Sequence, residues 1–311
     1  MDSRMKSAFE LEEGSHIVES NNQLETNEIT NDDANLQDVI STKAELVRSA
    51  CAMDKSSTLH FRDKIVIVTG ASSGIGAQCA IAFAKCGATL TLVGRDVKRL
   101  QSVAEKCKEA KGITPLTINV DLTKHKSCEL VVDTTVKIFR RMDVLVNCAG
   151  RATITSLFDN TMEHFDETFA INLKASYRLM QLALPHLKKT KGNIINIIGA
   201  NFEKVRPGFL PYSISMAGLE TLTKSAALEL APDGVRVNAI RPGITKTNFL
   251  HNLNIMGEDL EFAYARLAEN TPSKRVIQPE EIAKMVIFVA SDTCPSLTGA
   301  FIDIDGAASM S

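Results

Sequence analysis

Thr69-Gly70-Ala71-Ser72-Ser73-Gly74-Ile75-Gly76 follows a run of β-branched residues and precedes a helical run from Ala77 to Cys86. Glycines here let a chain turn tightly out of a strand, bring its backbone against a pyrophosphate and pack the helix closely on a sheet. The unpaired N–H groups of the helix start then face phosphate oxygens, so the chemistry on offer is dinucleotide binding. No Gly-Lys-Ser/Thr follows the Gly-x-x-x-Gly-x-Gly spacing, which excludes a P-loop nucleoside triphosphatase. His125 and Cys128 lie three residues apart without further partners, too few ligands for zinc. Seven cysteines without a Cys-x-x-Cys pair imply reduced thiols and a cytoplasmic setting.

Such a loop needs a strand before it and a sheet beneath it. Predicted strands cover Ile65 to Thr69, Thr89 to Val93, Thr114 to Val120, Val144 to Val146, Asn193 to Ile198, Val235 to Ile240 and Ala300 to Ile304. Most are apolar throughout, as strands covered by helices on both faces must be. Between them, Val97, Leu100, Val103, Ala104 and Cys107 form one apolar helical stripe, with Asp96 placed as its cap. Strands alternating with helices give an α/β fold, a single Rossmann-type doubly wound domain of about seven parallel strands over residues 61–311.

With 311 residues, 44% hydrophobic and 23% charged, the chain is of ordinary soluble composition. Residues 1–60 hold 12 acidic and five basic side chains, a charge of −7 against −2 for the whole chain, leaving +5 on the rest. This stretch is expected to be a disordered acidic extension, because it has too little apolar surface to offset its ordering entropy. Leu36, Val39, Ile40, Leu46 and Val47 are spaced for a short amphipathic helix within it. No dense Lys/Arg stripe supports nucleic-acid binding, and no apolar stretch is long enough to span a bilayer. Neither a nucleic-acid nor a membrane partner is therefore expected.

Thr-Gly-x-x-x-Gly-Ile-Gly, Asp121 after the third strand, Asn147-Cys148-Ala149-Gly150 after the fourth, Asn172, Tyr212, Arg241-Pro242-Gly243 and Ile304-Asp305-Gly306 come in an order that resembles the short-chain dehydrogenase/reductase family. The likeness runs from about Phe61 to Ala307 and is nearest to 3-oxoacyl-carrier-protein-reductase-like members. It implies hydride exchange between a nicotinamide nucleotide and a small carbonyl or alcohol substrate. Cofactor contacts are implied for Thr69, Gly70, Ser72, Ser73, Gly74, Ile75, Gly76, Asp121, Asn147, Ala149, Gly150, Tyr212, Pro242, Gly243, Ile244 and Thr247. The family also implies a homo-oligomer built on two long helices, here Phe165 to Leu187 and Tyr212 to Leu230. Residues 248–275, among them Asn248, Phe249, His251, Leu253, Met256, Phe262 and Tyr264, would form the variable lid that selects the substrate.

At the end of the second strand, where an acid would chelate the adenosine ribose, stands Gly94, and Arg95 beside it offers a fork suited to a phosphate. This favours NADP(H) over NAD(H). Asp96 could instead lean toward the ribose, and Asp121 has a helix-capping reading beside its adenine-side one.

In similar enzymes a tyrosine moves the proton, a lysine four residues later lowers its pKa, a serine thirteen residues earlier holds the substrate oxygen, and an asparagine anchors a water. Tyr212 and Asn172 match, but the lysine position is Met216 and the serine position is Gly199. Residue 216 shares the helical face of Tyr212, so the right place holds the wrong chemistry. Lys204 and Asn201 are the candidates to step in. From the residues alone Tyr212 reads equally as a packing residue, and Asn172 as a hydrogen-bonder that bends its helix. Weakened or absent catalysis is expected, the alternative being a catalytically silent dinucleotide sensor or interaction subunit.

Overall fold

Runs of Val, Ile and Leu whose side chains point alternately to two covered faces give strands buried on both sides. The computed structural model describes residues 59–111, 113–155, 157–158, 162–199, 207–250 and 258–310. Its strands are β1 (Ile65–Thr69), β2 (Thr89–Gly94), β3 (Leu116–Asn119), β4 (Val144–Asn147), β5 (Asn193–Ile197), β6 (Arg236–Pro242) and β7 (Phe301–Ile304). They pair in parallel in the order β3-β2-β1-β4-β5-β6-β7. The sequence runs outward in both directions from the β1–β4 junction, so the crevice of a doubly wound sheet opens there.

The alternation sorts the core into two layers. Val66, Val68, Leu90, Leu92, Val146 and Ile195 face a cluster containing Phe83, Ile282 and Val286. Ile67, Val93, Leu145, Ile194 and Val237 face the other, with Val131, Leu179 and Leu187. The first layer is covered by α1 (Gly74–Lys85), α2 (Val97–Lys111) and α8 (Pro279–Ala290). The second is covered by α3 (Ser127–Phe139), α5 (Ala175–Thr190) and α6 (Leu210–Leu230). Helix α4 (Glu163–Phe169) leads through a π turn, Ala170–Lys174, into α5, and α7 (Glu258–Glu269) follows β6.

The first strand matches the sequence reading, four others differ from it by one residue at one end, and two, the third and the sixth, differ by two residues at one end and one at the other. The third strand is confined to Leu116–Asn119 because it lies at the sheet edge, follows Pro115, and buries only Ile118. The sixth extends to Pro242, which pairs with Ile304. The long helix expected from Phe165 to Leu187 is interrupted by the π turn. Asp96 caps α2 as expected, its Oδ1 accepting the Arg99 N–H at 3.0 Å.

The expected acidic extension lies outside the described residues except for Leu59 and His60, as does the helix expected near residues 36–50. Leu59 packs on the first core layer, and Phe61 meets Phe83 edge-on at 5.0 Å. No described helix is long and apolar enough to cross a membrane.

Candidate active site

A cavity of about 1100 Å³ opens at the carboxyl ends of the strands. The phosphate-type loop between β1 and α1 forms its middle. Gly70 takes φ +66° and lies so close to β4 that a Cβ would come within 3.0 Å of the Ala149 backbone. A Cβ on Gly76 would overlap the Gly70 carbonyl. These glycines therefore hold loop, helix and sheet together more tightly than any side chain permits. The start of α1 has no acidic residue in its first turn, and Ser73 makes no side-chain cap. Its positive end is left to whatever anion enters the cavity.

One end of the cavity is cationic, lined by Arg95, Arg99 and Lys124 together with Gly94, Asp96 and Asp121. Asp96 does not lean inward to a ribose, because Oδ1 caps α2 and Oδ2 pairs with Arg99 Nε at 3.3 Å. Asn119 Nδ2 donates to the Gly94 and Arg95 carbonyls at 3.1 and 2.7 Å, which fixes the backbone beneath the Arg95 side chain. Asp121 Oδ1 accepts from the Thr123 N–H at 3.0 Å and its hydroxyl at 2.8 Å. Burial acts to raise the Asp121 pKa, but these bonds and the charges of Arg95 and Lys124 outweigh it and hold the carboxyl below its ordinary value.

The other end carries the tyrosine. Helix α6 presents Tyr212 and Met216 on one face, and both line the cavity with Gly199 and Asn172. Met216 is 4% exposed and packs with Ile198, Leu219 and Ala239. Burial pushes the Tyr212 phenol up to about 12, and no charge among the described residues pulls it back down. A Cβ built on Gly199 would overlap the Tyr212 hydroxyl and reach Cζ at 3.3 Å. The phenol tip thus occupies the space a serine would need. Its ring meets Phe249 edge-on at 5.8 Å.

Asn172 sits in the π turn, a local irregularity common at functional sites. Its Oδ1 accepts from Arg151 N at 2.9 Å, and Nδ2 donates to Arg151 O at 2.9 Å and to Ser215 Oγ at 3.0 Å. Ser215 Oγ in turn donates to the Tyr212 carbonyl at 2.7 Å. Asn172 therefore ties the loop after β4 to the helix that bears Tyr212.

Of the residues marked in the sequence, Gly70, Ser72, Ser73, Gly74, Ile75, Gly76, Arg95, Asp121, Asn147, Ala149, Gly150, Asn172, Gly199, Tyr212, Met216, Pro242, Gly243, Ile244 and Thr247 line this one cavity. Thr69 does not. It is 1% exposed, and its hydroxyl accepts from Cys148 N and Ala149 N at 3.0 and 3.1 Å and donates to Val146 O, stapling β1 to β4. Lys204 and Asn201 lie outside the described residues, as do His251, Leu253 and Met256 of the expected lid. Arg99 and Lys124 were not marked, because each reads as an ordinary helix-start or turn charge until the fold brings it beside Arg95.

A sequence-family model described as enoyl-(acyl carrier protein) reductase matches residues 70–308. The chain is 33% identical over 250 residues to a 3-oxoacyl-acyl-carrier-protein reductase of Thermotoga maritima, covering 80% of this chain and 98% of that one. Among solved structures it is similar to a short-chain dehydrogenase/reductase of unknown function from Caenorhabditis elegans, solved with cofactor, with TM-score 0.77 and 31% identity over 80% of this chain and 96% of the other. It is also similar to L-sorbose reductase from Gluconobacter frateurii complexed with NADPH and L-sorbose, with TM-score 0.75 and 28% identity over 81% and 99% of the two chains. A glycine-built cradle at the switch point of a seven-stranded parallel sheet, together with this extent of likeness, makes the chain a member of the short-chain dehydrogenase/reductase family of oxidoreductases.

Proposed function

We propose that the protein binds NADP(H) in preference to NAD(H) and reduces a small carbonyl compound at a rate weakened by the missing lysine and serine. The observation that carries the nucleotide reading is the cavity itself. Its glycine cradle, the uncapped α1 terminus, the Arg95, Arg99 and Lys124 rim and Tyr212 all line one cavity. The residues fit the group: backbone N–H groups of Ser73 to Gly76 would meet the phosphates, and Arg95 a 2′-phosphate, with the Asp96 carboxylate turned away to the start of α2 and Arg99. Asp121, Asn147, Ala149 and Gly150 would support the adenosine and ribose side, and Pro242, Gly243, Ile244 and Thr247 the nicotinamide side. Bound there, a reduced nicotinamide supplies a hydride.

The chain's own contribution is to the proton. Tyr212 stays a neutral phenol at pH 7 and donates its hydrogen to the substrate oxygen, while Asn172 holds its helix to the cavity wall. Without a cation beside it the phenol is a poor base, and without a hydroxyl at 199 the substrate oxygen has one donor fewer. Loss of a positioned acid/base group costs on the order of 100- to 10,000-fold and of an oxyanion donor roughly 100- to 1,000-fold, without simple multiplication.

The filled space above Gly199 favours a second reading, in which the phenol packs and the protein is a silent nucleotide sensor or interaction subunit. NADPH fluorescence titration tests the common ground, and absence of binding overturns both readings. Turnover on a panel of diketones and quinones separates them, with the Met216→Lys plus Gly199→Ser chain for comparison. Reduction by the unmodified chain that vanishes in Tyr212→Phe supports the weakened enzyme, and no turnover except in the doubly substituted chain supports the silent one. Equal rates before and after that substitution would refute the assignment of those positions.

A further inference from the structure

The turn after β6 runs along the cavity wall and is clamped on both sides. On one side Lys246 N donates to Ile277 O, and Ile277 N to Ile244 O, both at 2.9 Å. On the other, a single side chain reaches over from α7. Tyr264 is 4% exposed, and its hydroxyl accepts from the Thr247 N–H at 3.0 Å and donates to the Thr247 carbonyl at 2.6 Å. One phenol thus satisfies both backbone groups of one residue, a restraint on position and orientation that packing alone does not give.

Thr247 is well placed to pass that restraint on. Its Cγ2 and Cβ lie 3.0 and 3.1 Å from where a Cβ on Gly74 would be, so its methyl rests on the first residue of α1. Its hydroxyl accepts from Phe249 N at 3.2 Å, and the Phe249 ring meets that of Tyr212. Tyr264, Thr247, Gly74, Phe249 and Tyr212 all line the cavity. The ring of Tyr264 is covered by Lys246 at 5.9 Å, itself paired with Glu261 at 3.0 Å on the exposed face of α7.

We infer that Tyr264 is a positioning residue: acting through Thr247, it sets the wall of the cavity between the phosphate loop and Tyr212 and so governs how the nicotinamide half of a nucleotide is held. The inference rests on the nucleotide reading above. It makes no claim on the adenosine half, which on that reading would lie against Arg95 and Asp121.

Tyr264→Phe in the full chain keeps the ring and removes both bonds. NADPH is titrated by fluorescence, and ADP and adenosine 2′,5′-bisphosphate, which carry no nicotinamide, by calorimetry. Because the nucleotide must then re-order the released turn, NADPH binding weakens by up to roughly thirty-fold, the two lost hydrogen bonds setting the ceiling. The two adenosine probes should stay within about twofold of the unmodified chain, the size expected of sites that do not share partners. Glu261→Gln, which breaks only the surface pair, should leave all three affinities unchanged. Amide exchange at Thr247 should quicken in Tyr264→Phe without nucleotide and not in Glu261→Gln. Unchanged NADPH affinity in Tyr264→Phe overturns the inference, and so does equal weakening of all three ligands, which would mean general loosening of the fold. Failure of the unmodified chain to bind NADPH and both adenosine probes overturns the nucleotide reading and this inference with it.

Discussion

Gly199→Ala adds one methyl group at the point where the phenol of Tyr212 already sits. The built Cβ overlaps the hydroxyl, while the next ring atom, Cζ, is 3.3 Å away. The ring is half-buried, packed against the Ile198 and Met216 cluster and set against Phe249, which limits how far it can retreat. Overpacking of this kind costs about 1–3 kcal/mol, against a gain of about 0.4–1 kcal/mol because alanine has fewer unfolded conformations to lose than glycine. In a Tyr212→Phe background the overlapping atom is gone, so the same methyl should be close to neutral or slightly stabilising. The expected result is a coupling energy of about 1–3 kcal/mol in the double-mutant cycle. For a domain of this size that is a drop in melting temperature of about 2–4 °C per kcal/mol, present in the tyrosine background and nearly absent in the phenylalanine one. Thermal melts of the four chains decide it. Equal effects of Gly199→Ala in both backgrounds would show that the phenol does not occupy the space over residue 199.

Met216→Lys places an ammonium among Ile198, Leu219 and Ala239. Its pKa falls below the unfolded value of about 10.4, so its cost is absent above that pH and grows as pH drops toward the folded value. The variant's melting temperature should therefore approach the unmodified chain's near pH 10.5 and fall behind at pH 7; a constant difference refutes the assignment. Tyr212, raised to about 12, keeps its proton in the folded chain while the unfolded phenol ionises near 10, so stability falls as pH rises through this window. Tyr212→Phe should flatten that alkaline loss and change nothing attributable to ionisation below about pH 9; the rise in phenolate absorbance that the substitution abolishes should be one near pH 12, and loss of a rise near pH 10 instead would contradict the burial argument. Arg95→Ala should weaken NADPH by about 1.5 kcal/mol or more, roughly tenfold, and leave NADH nearly unchanged; a parallel loss of both would remove the 2′-phosphate role. Asp96→Ala should lower stability by about 0.5–2 kcal/mol through the lost α2 cap, with no change in preference between the two nucleotides.

The strands were legible where both faces are covered, because Ile65–Thr69 or Val144–Asn147 then contains little except apolar residues. The third strand was overextended for the converse reason: at the sheet edge it alternates, and nothing in Thr114 to Val120 marks where the ladder stops. The glycine loop was legible because its requirement is on the backbone. The placement of Met216 was legible because helical spacing is fixed, and 216 does share the cavity-facing side of α6 with Tyr212. The overlap between Gly199 and the phenol was not, since it depends on how closely α6 sits over the end of β5. Tyr264 read only as part of a lid, since its contact with Thr247 joins residues 17 apart across a turn, and no local pattern announces it. Thr69 could not be placed from sequence, because a threonine at the end of the first strand serves a ligand or a neighbouring strand equally well; here its hydroxyl bonds to β4 and the residues just after it.

On the proposed function, Met216 and Gly199 remove side-chain chemistry and leave the nucleotide cradle intact, since the cradle is made of backbone groups and glycine contacts. They also favour the folded chain: a methionine in the Ile198, Leu219 and Ala239 cluster avoids the burden of burying an ammonium, and a glycine at 199 admits the phenol tip. The consequence for direction is unequal. At pH 7 a phenol with a pKa of about 12 is ionised in only about one molecule in 100,000, so under the proposed role of Tyr212 alcohol oxidation, which would need the phenolate as base, would be starved of its reactive form. Carbonyl reduction needs the protonated phenol, which is fully populated. Whatever turnover this site retains should therefore run as reduction at neutral pH, with oxidation rising about tenfold for each pH unit toward the limit of stability, since the phenolate fraction does. Oxidation of a matched alcohol with a flat pH profile between 7 and 9 would show that another base has taken the place of Tyr212.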